Sequence, residues 1–183
     1  MFVHNAWSLS DVTIRTESAG DVEAIAGVVA AAFGRPDEAR LVEAIRASEN
    51  FVPEWSLVAE LRGLVVGHVM VSYVTLREGA ARHRIPTLAP LAVAPAAQRH
   101  GIGEALVHEV ASRVDVRGAP LIVLEGSPEY YGRLGFEHSV RRGIHIDLPA
   151  WAPAEAAQVM RLSNYDSSIR GKVVYPPAFD LGG

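Results

Sequence analysis

The chain has 183 residues, a formal net charge of −4 and no cysteine, which suits one compact domain and removes disulfides, thiolate metal centres and a cysteine nucleophile. Its 17 Lys+Arg against 21 Asp+Glu leave no cationic footprint for a nucleic-acid backbone. With 49% hydrophobic and 21% charged residues, the balance is that of a folded domain with no signature of disorder.

The leader from Met1 to Ser10 has neither a basic region nor a continuous apolar run, so no secretory signal is expected. The most apolar window, Ala24 to Phe33, is shorter than the roughly 20 residues of a membrane helix. A soluble, cytoplasmic protein without membrane contact is the expectation. Thr13 to Glu17 alternates as a first strand, Asp21 is placed to cap a helix reaching Phe33, and Gly34-Arg35-Pro36 stops it. A second helix is predicted over Asp37 to Ala47, with Leu41, Val42 and Ile45 on one face. Trp55 to Leu61 and Leu64 to Leu76 then form a hairpin about Arg62-Gly63.

Gly79 to Arg84 lacks a period and is expected to be a connection, followed by a strand over Thr87 to Val93. A helix from Ile102 to Val114 carries Ile102, Leu106, Val110 and Val114 on one stripe. The apolar run Leu121 to Leu124 suits a central strand covered on both faces. Strand, helix and strand make a βαβ unit with a parallel pair. Pro128 to Leu134 follows as a brief helix, then strand-like Phe136 to Val140 and Gly143 to Leu148, and finally β-like Gln158 to Leu162 and Lys172 to Tyr175. The domain plan is therefore a leader over 1–12, a domain over 13–148 and a β-rich extension over 149–183 packed on that same domain.

Chemistry concentrates where the strand at Leu88 to Val93 gives way to the helix. The residues before the helix, Ala97 to Gly101, include no Ser, Thr, Asp or Asn, so its first N–H groups lack a side-chain cap. Gly101 and Gly103 let the backbone approach an anion closely, and Arg99 adds a positive charge, which together suit a phosphate-bearing ligand. Glu104 suits the helix dipole, and would repel a phosphate unless its side chain points outward.

Gln98-Arg99-His100-Gly101-Ile102-Gly103 resembles the Gln/Arg-x-x-Gly-x-Gly/Ala signature of the GNAT N-acetyltransferase superfamily, directly after a strand of the right type. Tyr130-Tyr131-Gly132-Arg133-Leu134-Gly135-Phe136 is similar to the aromatic segment that follows the next strand in that family. The resemblance spans Thr13 to about Leu148. It implies an α/β fold with a mixed, mostly antiparallel sheet of about seven strands, helices on both faces, and a central parallel pair splayed to take acetyl-coenzyme A. It further implies that backbone groups of Leu91, Ala92 and Val93 pair with the pantetheine and thioester, and that those of Arg99, His100, Gly101, Ile102, Gly103 and Glu104 hold the pyrophosphate. The acetyl group would pass directly to a primary amine of a small molecule or peptide, with no acyl-enzyme and no metal.

Direct transfer needs an acid for the departing thiolate and a base for the amine proton. Tyr131 matches the family's phenol, and Tyr130 is expected to pack in the core. Glu60, His68 and Glu125 are candidates for the base, with Glu125 preferred because it ends a parallel strand, where open sheets bind ligands. Rival sites are incomplete: Ser112 stands where a zinc-binding helix beginning His108-Glu109 needs its second His, and Gly126-Ser127-Pro128 is no serine-hydrolase elbow. A non-catalytic module that binds acyl-coenzyme A is the alternative function, and the β-rich tail could pair two chains into a homodimer.

Overall fold

A computed structural model describes residues 7–182; residues 1–6 of the leader lie outside it. The elements, in chain order, are β1 (Val12–Thr16), α1 (Val22–Phe33), α2 (Asp37–Arg46), β2 (Phe51–Leu61), β3 (Leu64–Glu78), β4 (Ala81–Val93), α3 (Ile102–Val116), β5 (Leu121–Glu125), α4 (Pro128–Gly132), β6 (Glu137–His138), β7 (Ile144–His145), β8 (Ala157–Arg161) and β9 (Gly171–Val174). One sheet has the order β1-β2-β3-β4-β5-β8-β6, with β9 added beside β3 and β7 beside β9. Thus seven strands form the main path, and the two further short strands join it at the far end of β3.

Alternation sorts the sheet's side chains onto two faces. Val69 and Val71 face α3 together with Ile122 and Leu124, in a core that includes Leu106 and Val110. Met70, Val58 and Ala92 face the other way, against Ile25 and Val29 of α1 and Val42 and Ile45 of α2. α3 lies very close to β3 because Gly67 has no side chain: a Cβ there would meet Leu106 and Ile102 at 3.0 and 3.1 Å. A third core joins Leu121 and Val123 to Ile144, Val159 and Val173, so strands of the 149–183 extension share the sheet's apolar interior.

Several local expectations are corrected. Residues 81–84 are strand: Arg84, His83, Arg82 and Ala81 pair with Thr75 through Glu78, and their basic side chains are exposed because the hairpin projects past the covered part of the sheet. Asp21 does not cap α1. Its carboxylate instead accepts from Ser18 N–H at 2.7 Å and from Arg15 at 2.7 and 2.9 Å, closing the turn that precedes the helix. Val140 lies in a 3-10 turn over Ser139–Arg142, and only Glu137–His138 of the expected strand over Phe136 to Val140 pair. Likewise only Ile144–His145 of the strand expected over Gly143 to Leu148 do so, in parallel with β9.

Candidate active site

β4 and β5 are parallel neighbours paired at one point, Thr87 opposite Val123, where the Thr87 hydroxyl donates to the Val123 carbonyl at 3.2 Å. Beyond it the two strands part. β4 is bulged just there: Val69 faces Leu91 and Val71 faces Leu88, so Ala89 and Pro90 together oppose Met70. Proline is tolerated at such a bulge because it has no N–H to give to the ladder.

Ladder parity decides which backbone groups face the gap. The Ala94 N–H donates to the Val66 carbonyl at 2.8 Å, and His68 lies opposite Ala92. Bonded and unbonded pairs alternate in an antiparallel ladder, so Ala92 directs its N–H and C=O to β3 while Leu91 and Val93 direct theirs toward β5. The Val93 carbonyl then accepts from the Gln98 side-chain amide at 3.0 Å, which ties the strand end to the following turn. Both backbone groups of Leu91 and the Val93 N–H are left facing the opening.

α3 begins as its sequence implies. Arg99 and Gly101 have φ of 65° and 84°, and the left-handed Gly101 leads into the helix with no side-chain cap. The first helical bond runs from Ala105 N–H to the Gly101 carbonyl at 3.0 Å, so the N–H groups of Ile102, Gly103 and Glu104 lie ahead of the helical ladder. A cavity of about 570 Å³ opens over them and reaches Leu91, Val93, Arg99, Tyr130 and Arg133. The Glu104 carboxylate is exposed and lies 3.6 Å from His108, one turn along the helix. His100 Nδ1 donates to the Gln98 carbonyl at 2.8 Å and its ring packs on Trp7, 4.2 Å between centroids.

Both tyrosines pack against the core that faces α3. Tyr130 is only partly buried, and its hydroxyl stands over Gly103 so closely that a Cβ there would sit 2.5 Å from it. Tyr131 lies flat against Gly126, where a Cβ would meet ring carbons at 2.5 and 2.8 Å. Edge contacts to Tyr130 and Phe136, with centroids 4.9 and 5.6 Å apart, hold the ring there. Burial first, and the neighbouring Tyr130 second, push the Tyr131 hydroxyl well above the ordinary phenol range, so it stays protonated.

Tyr131 and Glu125 both line a second cavity of about 600 Å³, which Leu91 shares with the first. Although Glu125 reaches solvent, partial desolvation raises its carboxyl above the usual range, opposed by the hydroxyl of Tyr175. The other two base candidates lie elsewhere. Glu60 is an ion-pair partner of Arg15 at 2.8 Å, and His68 is fully buried with Nδ1 donating to the Leu57 carbonyl at 3.0 Å. Burial lowers His68 to about 4, which keeps it neutral, and neither residue lines either cavity. Sequence reasoning missed Glu38, Arg133, Tyr175 and Asp180, which the fold brings to the two cavities from distant segments. A clue existed for Arg133 alone, as a cation inside the second motif.

The bulged strand, the splayed parallel pair and the glycine-led helix define the acetyltransferase class of mixed α/β fold. Residues 13–139 match the family described as acetyltransferase (GNAT) domain. An uncharacterized N-acetyltransferase of Escherichia coli K12, YjhQ, is 32% identical over 125 residues, covering 68% of this chain and 69% of that protein. Its companion YhbS is 31% identical over 160 residues, 86% of this chain and 90% of that one. The crystal structure of the E. coli GNAT family N-acetyltransferase YhbS in complex with CoA superposes with a TM-score of 0.84 at 28% identity, covering 97% of this chain and 96% of that one. A GNAT family acetyltransferase from Brucella melitensis in complex with acetyl-CoA gives a TM-score of 0.73 at 32% identity, covering 92% and 98%. The chain belongs to the GNAT acetyltransferase family. Among the described residues, no helix is long and apolar enough to cross a membrane.

Proposed function

We propose that this protein moves an acetyl group from acetyl-coenzyme A directly to a primary amine, with residues 13–183 acting as one catalytic unit. The observation that carries the reading is the pair of cavities meeting at Leu91, one over the start of α3 and one beside Tyr131 and Glu125. The residues fit the cosubstrate: Gly103 keeps its cradle open beneath Tyr130, and three helix N–H groups face it with Arg99 and Arg133 nearby.

Acetyl-coenzyme A supplies the activated thioester and leaves as the free thiol. The turn from Arg99 through His100, Gly101, Ile102 and Gly103 to Glu104 grips the diphosphate, with Arg133 adding a second cation. Leu91 and the Val93 N–H align the pantetheine as an added strand, while Ala92, whose backbone groups are spent on β3, fixes the strand's position. As the amine nitrogen bonds to the acetyl carbon, Glu125 takes the amine proton directly or through a water, its raised basicity suiting that task. The carbon–sulfur bond breaks and Tyr131 gives a proton to the departing sulfur. Exchange with water then returns both side chains to their starting states.

The test is Tyr131→Phe, measured by thiol release over an amine panel and by calorimetry with coenzyme A. Loss of about ten-fold or more in kcat with coenzyme A affinity retained is the expected result. Coenzyme A binding without turnover of any amine by the native protein would favour a non-catalytic binding module instead.

A further inference from the structure

Strand parity fixes the side of the sheet on which Glu125 stands. Leu121 and Val123 of β5 enter the core shared with Ile144, Val159 and Val173, while Ile122 and Leu124 face α3. Glu125 continues the first set, so its side chain leaves the sheet where Tyr175 and Phe179 pack. The chain arrives there by β9, which pairs with β3 through Val174 opposite Thr75 and ends one residue before Tyr175. Phe179, on the turn Pro177–Gly182, packs on the Tyr175 ring with centroids 5.0 Å apart.

Tyr175, Thr87 and Glu125 line one cavity, and the Tyr175 hydroxyl is within hydrogen-bonding reach of both the Glu125 carboxyl and the Thr87 hydroxyl. Thr87 is buried and gives its one hydrogen to the Val123 carbonyl at 3.2 Å, so toward Tyr175 it can only accept. An ionised carboxylate can likewise only accept. Tyr175 is therefore the donor at this junction, with one proton and two acceptors, of which the charged one is the stronger. Burial first, then the Glu125 charge and the bond to it, hold the Tyr175 hydroxyl well above the ordinary phenol range, so it keeps its proton. Glu125 itself reaches solvent at the cavity, which leaves it open to an incoming amine.

We propose that Tyr175 is a positioning residue for the base: its hydroxyl donates to one oxygen of the ionised Glu125 carboxylate and leaves the other aimed at the acceptor amine in the cavity. Tyr175 loses no proton in the cycle. Once Glu125 has taken the amine proton, the Tyr175 hydroxyl turns to the Thr87 oxygen and stays paired. This role rests on the acetyltransferase reading, with Glu125 as its base, and deepens it.

Coenzyme A calorimetry and thiol release over an amine panel come first on the native protein; absence of any turnover overturns the acetyltransferase reading, and the role of Tyr175 with it. For the best amine, kcat/KM is then followed from about pH 5 to pH 9. Losing a donor raises a carboxyl, so Tyr175→Phe is expected to move the acid limb of the profile up by about one pH unit and to lower kcat on the plateau by about five-fold. The KM for acetyl-coenzyme A should stay native, because Tyr175 does not line the cavity over the start of α3. Glu38, Tyr131 and Asp180 are the other ionisable groups on the cavity of Glu125, and the amine adds its own titration, which is the same for every variant. Glu125→Gln shows whose limb it is: the limb is expected to vanish, and Tyr175→Phe added to it should cost less than about two-fold more. A second measurement needs neither variant nor turnover: by carbon-13 NMR of the native protein, the Glu125 carboxyl carbon and the Tyr175 ring Cζ are expected to titrate with one midpoint. An acid limb unmoved in Tyr175→Phe, a Tyr175 ring carbon blind to the titration of Glu125, or a native rate in Glu125→Gln would each overturn the proposal while turnover itself stands.

Discussion

Replacing Gly126 by alanine tests the placement of Tyr131 without touching its hydroxyl. The added Cβ would sit 2.5 Å from one ring carbon and 2.8 Å from the next, where carbon atoms at rest stay about 3.5–4.0 Å apart. The ring must therefore retreat by about 1 Å, and the Tyr130 and Phe136 rings limit where it can go. A displacement of about 1 Å at a reacting group costs on the order of 100-fold in rate, or about 3 kcal/mol of activation free energy. We expect Gly126→Ala to lose that factor in kcat, read by thiol release, with coenzyme A affinity by calorimetry changed less than three-fold or so. Gly132→Ala is the control, since its Cβ would meet nothing within 4 Å. Native kcat in Gly126→Ala would show either that the ring is not seated there or that its position is irrelevant to turnover.

Two further outcomes follow from the same geometry. In Gly103→Val the branched side chain, whose Cβ alone would meet the Tyr130 hydroxyl at 2.5 Å, would fill the cradle at the start of α3, so the KM for acetyl-coenzyme A should rise about ten-fold in steady-state assays. His68 is held neutral at about 4 in the folded chain against about 6.5 when unfolded, so its contribution is complete above the unfolded value and lost as pH falls from there toward 4. Between pH 7 and pH 5 that amounts to about 2 kcal/mol, and urea unfolding of His68→Gln should show a pH slope flatter by that amount; equal slopes would refute it.

The helix start at Gly101 was legible because an uncapped N-terminus is a local property, written in the absence of Ser, Thr, Asp and Asn before it. The parallel pair was legible for the same reason, through the unbroken apolar run at Leu121 to Leu124. Its splaying rested on family likeness, since it depends on the register of β4 against β3, and only Pro90 within an apolar strand hinted at the bulge. Tyr131 was told apart from Tyr130 by family likeness alone: neighbours on a helix point about 100° apart, and which of them meets which cavity depends on how α4 is set against α3. Asp21 carried a cap's identity, but Arg15 competes for its carboxylate from β1, a contact invisible to local pattern. The cavity beside Tyr131 and Glu125 was least legible, because its walls come from α1, α2, β4, β5 and the turn Pro177–Gly182, and no motif spans that distance.

The tail has a consequence for how such an enzyme changes its diet. Tyr175, Phe179 and Asp180 furnish one side of the proposed acceptor chamber, yet they follow the residues 13–139 that match the family, while the proposed grip on the donor lies wholly inside that span. One wall of that chamber is thus written outside the stretch proposed to hold the donor, while its other walls share that stretch. A graft of the last dozen or so residues between relatives would change that one wall and leave the start of α3 and the strands β4 and β5 untouched.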